Sequence, residues 1–353
     1  MRAATIARPH GGPDAQGPVR WDFSTNVNAA GPCPQAVQAL ARADATRYPD
    51  PGYHALRQRL AVWHGVDERR ILLAASASEF IQRITAVGQR LAPGPVAVPA
   101  LAYGDYAVAA QACGRAVAAQ ACGRAVVGTE DATATLRWCA DPGSPLGQDA
   151  APPHDPAATP TVLDAAYAPL RLSGTPRWSS DAQDAVFRLY SPNKALGLPG
   201  IRGAYAIAPA GAAWPLQTWR DALHSAEPSW PLGAHAVGLL ECWTEPATQA
   251  WLADSRITLR TWTDSLRAAL ADLGLQPAPS VTSFLCARWP AAIQPADLRR
   301  HGLAVRDAAS FGLPGWMRVS AQPPEALGAL HSALRLLATD HHPVSTSVET
   351  AHT

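Results

Sequence analysis

VFRLYSPNKALGLPGIRGAY, residues 186–205, decides how the rest of the chain is read. Its first residues are apolar and β-favouring and stop at a Ser-Pro pair, the pattern of a short buried strand that ends in a loop. In that loop Ser191 precedes Lys194 by three positions and Arg202 follows it by eight, while Gly197, Gly200 and Gly203 permit tight backbone. A hydroxyl, an amine and a guanidinium are thereby gathered at the end of one strand.

The amine is singular. The 353-residue chain holds 29 basic residues, and Lys194 is its one lysine; the other cations are arginine. Arginine serves every role a fixed positive charge can fill, but its guanidinium keeps its proton above pH ~12 and cannot attack a carbonyl. A lysine kept where arginine has replaced every other points to imine chemistry. With a hydroxyl and a guanidinium nearby, the loop suits a phosphorylated aldehyde.

Working outward, LDAAY (163–167) lies thirty residues upstream, an apolar strand ending in Asp164. A carboxylate there is costly to bury without a cationic partner. ILLAA (71–75), PVAVPA (95–100), TATLRWCA (133–140) and GAYAIAP (203–209) repeat the pattern of short apolar strands separated by helical or turn segments. An α/β fold with a large, mainly parallel sheet is expected. Beyond about residue 210 long helices precede SFLCARW, LAVRDAA and WMRVSA, which predict a smaller α+β domain. The expected division is an N-terminal arm and small-domain segment (1–47), a large domain (48–212), a small C-terminal domain (213–340) and a disordered tail (341–353). AVAAQACGR occurs twice in succession, at 107–115 and 116–124, and is read as a slip that lengthens a helix or loop.

The composition excludes several classes. Hydrophobic residues make up 48% and charged residues 16%, as in a folded enzyme, and a net charge of +1 gives no field for nucleic acid. No apolar run approaches the ~20 residues of a membrane span, and the first residues lack a signal peptide's apolar stretch, so a cytoplasmic location is expected. The six cysteines are spread without metal-ligand spacing and read as reduced core thiols, and no metal is expected.

On Ser191, Lys194 and Arg202 with Asp164 upstream, the chain resembles the class I/II aminotransferases and their decarboxylase relatives, enzymes of pyridoxal 5′-phosphate (PLP). The resemblance implies that Lys194 holds PLP as a Schiff base, that Ser191 and Arg202 bind its phosphate, that Asp164 keeps the ring nitrogen charged, and that Tyr167 meets the ring hydroxyl. It places the backbone of Ala77 and Ser78 at a phosphate-cradling helix start, where the family usually has glycine at the position of Ser76. Tyr103 then stacks on the ring. CADPGSPLG (139–147) is similar to the family's Asn-Pro-x-Asn-Pro-x-Gly turn, with Asp141 and Ser144 in the asparagine positions and Ser144 in contact with the ring hydroxyl. Arg318 is similar to the arginine that forks onto the substrate carboxylate, and Arg306 to a second one facing a substrate phosphate. Tyr48 resembles the residue that reaches the neighbouring subunit's PLP, which implies a homodimer.

DFSTNVNAAGP (22–32) resembles a segment of threonine-phosphate decarboxylases of cobalamin synthesis, and it marks Asn28 as a substrate contact. The first expectation is therefore a lyase that decarboxylates L-threonine O-3-phosphate to aminopropanol phosphate. Two alternatives stay open. One is a histidinol-phosphate aminotransferase; the other is a catalytically idle chain of the same fold, suggested by Ser76, Asp141 and Ser144.

Overall fold

The computed structural model describes residues 10–120 and 133–340, so the tail expected over 341–353 lies outside the described residues. Its large sheet has seven strands in the spatial order Ile71–Ala74, Ala204–Ile207, Phe187–Tyr190, Thr161–Asp164, Leu136–Ala140, Val96–Pro99 and Val117–Gln120. Only Ala204–Ile207 runs against its neighbours. All four residues of Ile71–Ala74, Val96–Pro99 and Thr161–Asp164 are buried, and the first two strands read as unbroken apolar runs because helices cover both faces of the sheet. On one face Leu56, Leu60, Leu239, Leu240 and Trp243 pack on Ile71, Leu73 and Ile207. On the other, Phe80, Ile84, Tyr106, Trp219 and Leu223 pack on Leu72, Val98 and Trp138. The six co-directional strands present their carboxyl ends at one edge, where an open α/β sheet offers a ligand site.

The smaller unit is an antiparallel sheet of Arg306–Asp307, Trp316–Ser320 and Phe284–Arg288, in which Arg306 stands opposite Arg318. Its core takes Leu266 and Leu270 from the long helix Pro246–Asp272, Leu330 and Leu334 from Pro324–Asp340, and Phe23 from the N-terminal segment. Trp21–Asp22 pairs in parallel with Leu303–Ala304 and ties that segment down.

The packing moves two of the expected boundaries. Helices Leu216–Ser225 and Ala234–Trp243 bury Trp219, Leu223, Leu239 and Leu240 against the large sheet, so a cut at 213 would open its core. Helix Pro34–Arg42 also joins the large core, through Ala36, while residues 21–23 belong with the small one. An amphipathic helix advertises an apolar face in its sequence, but not the partner that covers it.

The repeat corrects another expectation. Val-Ala-Ala-Gln is helical at 108–111, within Gly104–Ala112, and forms the edge strand Val117–Gln120 in its second occurrence. Gly114, at φ +67°, ends the helix. Arg115 then anchors the turn by donating to the carbonyl of Gly94 and to Thr135 Oγ1 (2.9 and 2.7 Å), and the next residues are laid along Val96–Pro99. Among the described residues no helix is long and apolar enough to cross a membrane.

Candidate active site

The strand ends and the small sheet enclose a cavity of about 520 Å³. At one side of it helix Ala77–Leu91 begins, with Ser76 as its cap: the Ser76 hydroxyl accepts from the Glu79 N–H at 3.1 Å. Ser76 is extended at φ −169°, a conformation any residue adopts, so serine stands there without strain. The amides of Ala77 and Ser78 lie in the first turn, where N–H groups lack helical partners and favour an anion. Ser191 lines the same cavity, its Oγ buried and without a hydrogen-bond partner, and the exposed Arg202 stands at its edge.

The lysine loop is held by its own backbone neighbours. Asn193 Nδ2 donates to the carbonyls of Pro199 and Ile201 (3.2 and 3.1 Å), which closes the loop between Lys194 and Arg202. At Gly197, φ +69°, a Cβ would lie 2.5 Å from the Gly31 carbonyl oxygen, so only glycine allows the N-terminal segment to press on this loop. Two bonds fix that approach, from Asn28 N–H to Lys194 O and from Cys33 N–H to Leu196 O, both 2.9 Å.

Across from the helix start, Asp164 accepts from the Ala166 N–H on Oδ1 (2.9 Å) and from the Tyr106 hydroxyl on Oδ2 (2.6 Å). Tyr106 stacks on Trp138 with centroids 4.5 Å apart and meets Tyr103 edge-on at 5.8 Å. Burial pushes the hydroxyls of Tyr103 and Tyr106 well above the usual tyrosine range. Lys194 Nζ lies 5.5 Å from the ring centre of Tyr167, whose hydroxyl takes a long bond, 3.4 Å, from Asn26 Nδ2.

The small sheet contributes two cations. Arg318 is buried and donates to Ser144 Oγ (2.9 Å) and to the carbonyl of Ser24 (3.1 Å), while its Nε has no partner. Arg306 donates to Ser310 Oγ at 2.7 Å, and Phe311 lies between the two guanidinium groups, 5.0 and 5.5 Å from them. Burial lowers both arginine pKa values, and each is close enough for Arg318 to lower that of Arg306 further.

A basic loop after a strand, an aspartate at a neighbouring strand end and paired arginines on a second sheet form one ensemble. The family model for aminotransferase class I and II matches residues 20–334. The chain belongs to this family. Among its relatives, the histidinol-phosphate aminotransferase of Granulibacter bethesdensis is 31% identical over 345 residues, spanning 89% of this chain and 88% of that protein. Histidinol-phosphate aminotransferase 1 of Thiobacillus denitrificans is 30% identical, over 84% of this chain and 80% of its own. Among solved structures, the Sinorhizobium meliloti histidinol-phosphate aminotransferase in complex with PLP superposes with a TM-score of 0.75 at 22% identity, covering 96% of this chain and 99% of that one. The Porphyromonas gingivalis L-threonine-O-3-phosphate decarboxylase gives 0.74 at 21%, covering 90% and 99%.

PLP is the cofactor of this chain, and the donor set fits it. A buried hydroxyl without a partner on Ser191 and a helix start suit a phosphate, a buried carboxylate on Asp164 suits a ring cation, and the lysine lines the same cavity.

The relatives overturn the decarboxylase expectation. Four curated relatives at 26–31% identity are named histidinol-phosphate aminotransferases, whereas the threonine-phosphate decarboxylase shares the fold at lower identity. The segment that carried the decarboxylase reading is divided: Ser24, Thr25, Asn26 and Val27 line the cavity, whereas Asn28 belongs to the scaffold. Asn28, expected at the substrate, is buried and donates to Ala195 O (3.0 Å) and Ser255 Oγ (2.8 Å), outside the cavity lining. Asn26 takes its place: it lines the cavity with its Oδ1 buried and without a partner. Tyr48, expected at the neighbouring subunit's cofactor, lies outside the lining of its own cavity; it is 77% exposed and stacks on Trp230 at 4.4 Å. Ser144 does line the cavity, but bonded to Arg318, which draws it to the small-sheet side. Asp141 is buried in an ion pair with Arg171 at 3.0 Å, so both departures from the family's turn have partners.

Sequence reasoning missed Tyr106, Asn26 and Phe311. A signal existed for Tyr106, which follows the helix cap Tyr103 by three and lies in the first turn beside it. Phe311 had none: it sits in a short turn between the arginine strands.

Proposed function

We propose that this chain is a PLP-dependent aminotransferase that takes the amino group of histidinol phosphate, with Lys194 as the catalytic base. The observation that carries the reading is the placement of Lys194 and two buried arginines, opposite one another in register, around one cavity. An aminotransferase receives two substrates in turn at one site. A phosphate monoester and the distal carboxylate of 2-oxoglutarate are both anions, and a paired cationic wall serves each. The names of the curated relatives support histidinol phosphate as the donor.

Bound here, PLP supplies an electron sink for the pair released when a bond at the substrate α-carbon breaks. Ser191, Arg202 and the amides of Ala77 and Ser78 hold its phosphate, Tyr103 covers its ring, and Tyr167 faces its ring hydroxyl. The Asp164 carboxylate balances a proton on the ring nitrogen. Lys194 Nζ would take the α-carbon proton and hold it for return; breaking this C–H bond, rather than a bond to a carboxylate, is what leads to amino-group transfer instead of decarboxylation. Arg318 and Arg306 orient the anionic groups, and Asn26 Oδ1 offers an acceptor to a substrate N–H or O–H.

We also infer a homodimer. Tyr48 and Trp230 form an exposed aromatic pair away from their own cavity, suited to completing the partner's. The test supplies histidinol phosphate and 2-oxoglutarate to the purified protein. Glutamate should form in proportion to donor consumed; no glutamate from a PLP-saturated, folded protein overturns the reading. Sedimentation at the mass of one chain, or unchanged PLP retention in Tyr48→Ala, overturns the dimeric part.

A further inference from the structure

Tyr106 is a fully buried phenol that the reaction above does not use. If packing were its whole role, phenylalanine would fill the space without the cost of desolvating a hydroxyl. Its hydroxyl donates instead to Asp164 Oδ2 at 2.6 Å, while the Ala166 N–H holds Oδ1 at 2.9 Å. The ring has no freedom to leave: it lies nearly parallel to Trp138, at 8° and 4.5 Å, and Trp138 belongs to the strand paired with that of Asp164. Helix Gly104–Ala112 thus carries the donor to Asp164 one turn after Tyr103, which lines the cavity. In a low-dielectric site a hydrogen bond of this kind draws charge from the carboxylate and fixes its orientation.

We propose that Tyr106 is a positioning residue that aims the Asp164 carboxylate and limits the negative charge it presents to the PLP ring, so that it sets the protonation equilibrium of the bound cofactor. The inference rests on the reading that Asp164 faces the ring nitrogen. The other groups around the pair are the phenols of Tyr103 and Tyr167, Asp105 beside Tyr103, and the cations Lys194 and Arg202 in the same cavity. None of them is changed by removing one hydroxyl.

The experiment compares Tyr106→Phe with the parent, both PLP-loaded, by titrating the absorbance of the bound cofactor against pH and by melting. Without the donor, Asp164 presents more negative charge and favours protonated cofactor, so the midpoint should rise by on the order of half a unit to one unit. Tyr106→His restores an N–H donor and should bring the midpoint back toward the parent. An unmoved midpoint in Tyr106→Phe with a lowered Tm would make Tyr106 structural and overturn the inference. Asp164→Asn separates the two failures. If it moves the midpoint and Tyr106→Phe does not, only the inference falls; if neither moves it, the placement of Asp164 falls as well.

Discussion

Replacing Arg318 with glutamine should weaken catalysis and leave the fold as stable or more so. A substrate anion loses two charge-assisted donors, each worth at least ~1.5 kcal/mol, so about 3 kcal/mol of interaction disappears. At ~1.4 kcal/mol per tenfold, kcat/KM should fall by about two orders of magnitude. Stability moves by a different account. Arg318 is only 6% exposed, no carboxylate pairs with it among the described residues, and its Nε is unsatisfied. A buried guanidinium without a counterion is a net cost to the folded chain, and the glutamine amide can keep a bond to Ser144 or to the Ser24 carbonyl. The assay is steady-state glutamate formation from histidinol phosphate, beside thermal melts at one fixed PLP concentration, since bound ligand shifts Tm. A drop in Tm together with a loss in kcat/KM smaller than tenfold would refute the reasoning, because it would make Arg318 a structural cation.

Other expectations are separable from this one. Lys194→Arg should abolish the yellow colour of bound PLP and all turnover while far-ultraviolet circular dichroism stays unchanged; borohydride-trappable PLP in this variant would refute the role of Lys194. Asp164→Asn should bind PLP yet react at least ~100-fold more slowly, which single-turnover rates would check. Burial, with Arg188 nearby, pushes His64 down to about 3 from its ordinary 6.5. The fold therefore favours neutral His64, and its contribution is complete above pH 6.5 and is lost as pH falls toward 3, by up to ~1.4 kcal/mol per unit. His64→Gln should accordingly lose less Tm than the parent between pH 7 and pH 5, as melts at the two pH values would show. Gly197→Ala should lower Tm and loosen PLP, because its Cβ meets the Gly31 carbonyl and φ is +69°.

The lysine loop was legible because its chemistry is local. Ser191, Lys194 and Arg202 lie within twelve residues, and glycine spacing announces the tight backbone that sets them in the cavity. Asp164 was legible for a similar reason, as a charge at the end of an apolar strand. The asparagines were not. Asn26 and Asn28 are two apart, yet one faces the cavity and the other the scaffold, since the segment after Trp21–Asp22 is irregular and period-two alternation does not apply. The edge strand at 117–120 could not have been read at all from local sequence, because the same four residues are helical nine positions earlier. What differs is the neighbour: an open edge of Val96–Pro99 on one side, Phe80 and its helix on the other. Substrate choice was not legible in DFSTNVNAAGP, because the residues it sets on the cavity, Ser24, Thr25, Asn26 and Val27, include no charged side chain that would distinguish one phosphorylated substrate from another.

With Lys194 the single lysine, the described protein offers one side-chain amine, and it lies inside the cofactor cavity. A reagent selective for amines therefore has one side-chain target, and its reaction there should slow when PLP occupies the cavity. Enzymatic lysine acylation has no other side-chain target in this sequence; on the role proposed for Lys194, modifying its amine would stop turnover, and protection by PLP would measure the cofactor's own grip.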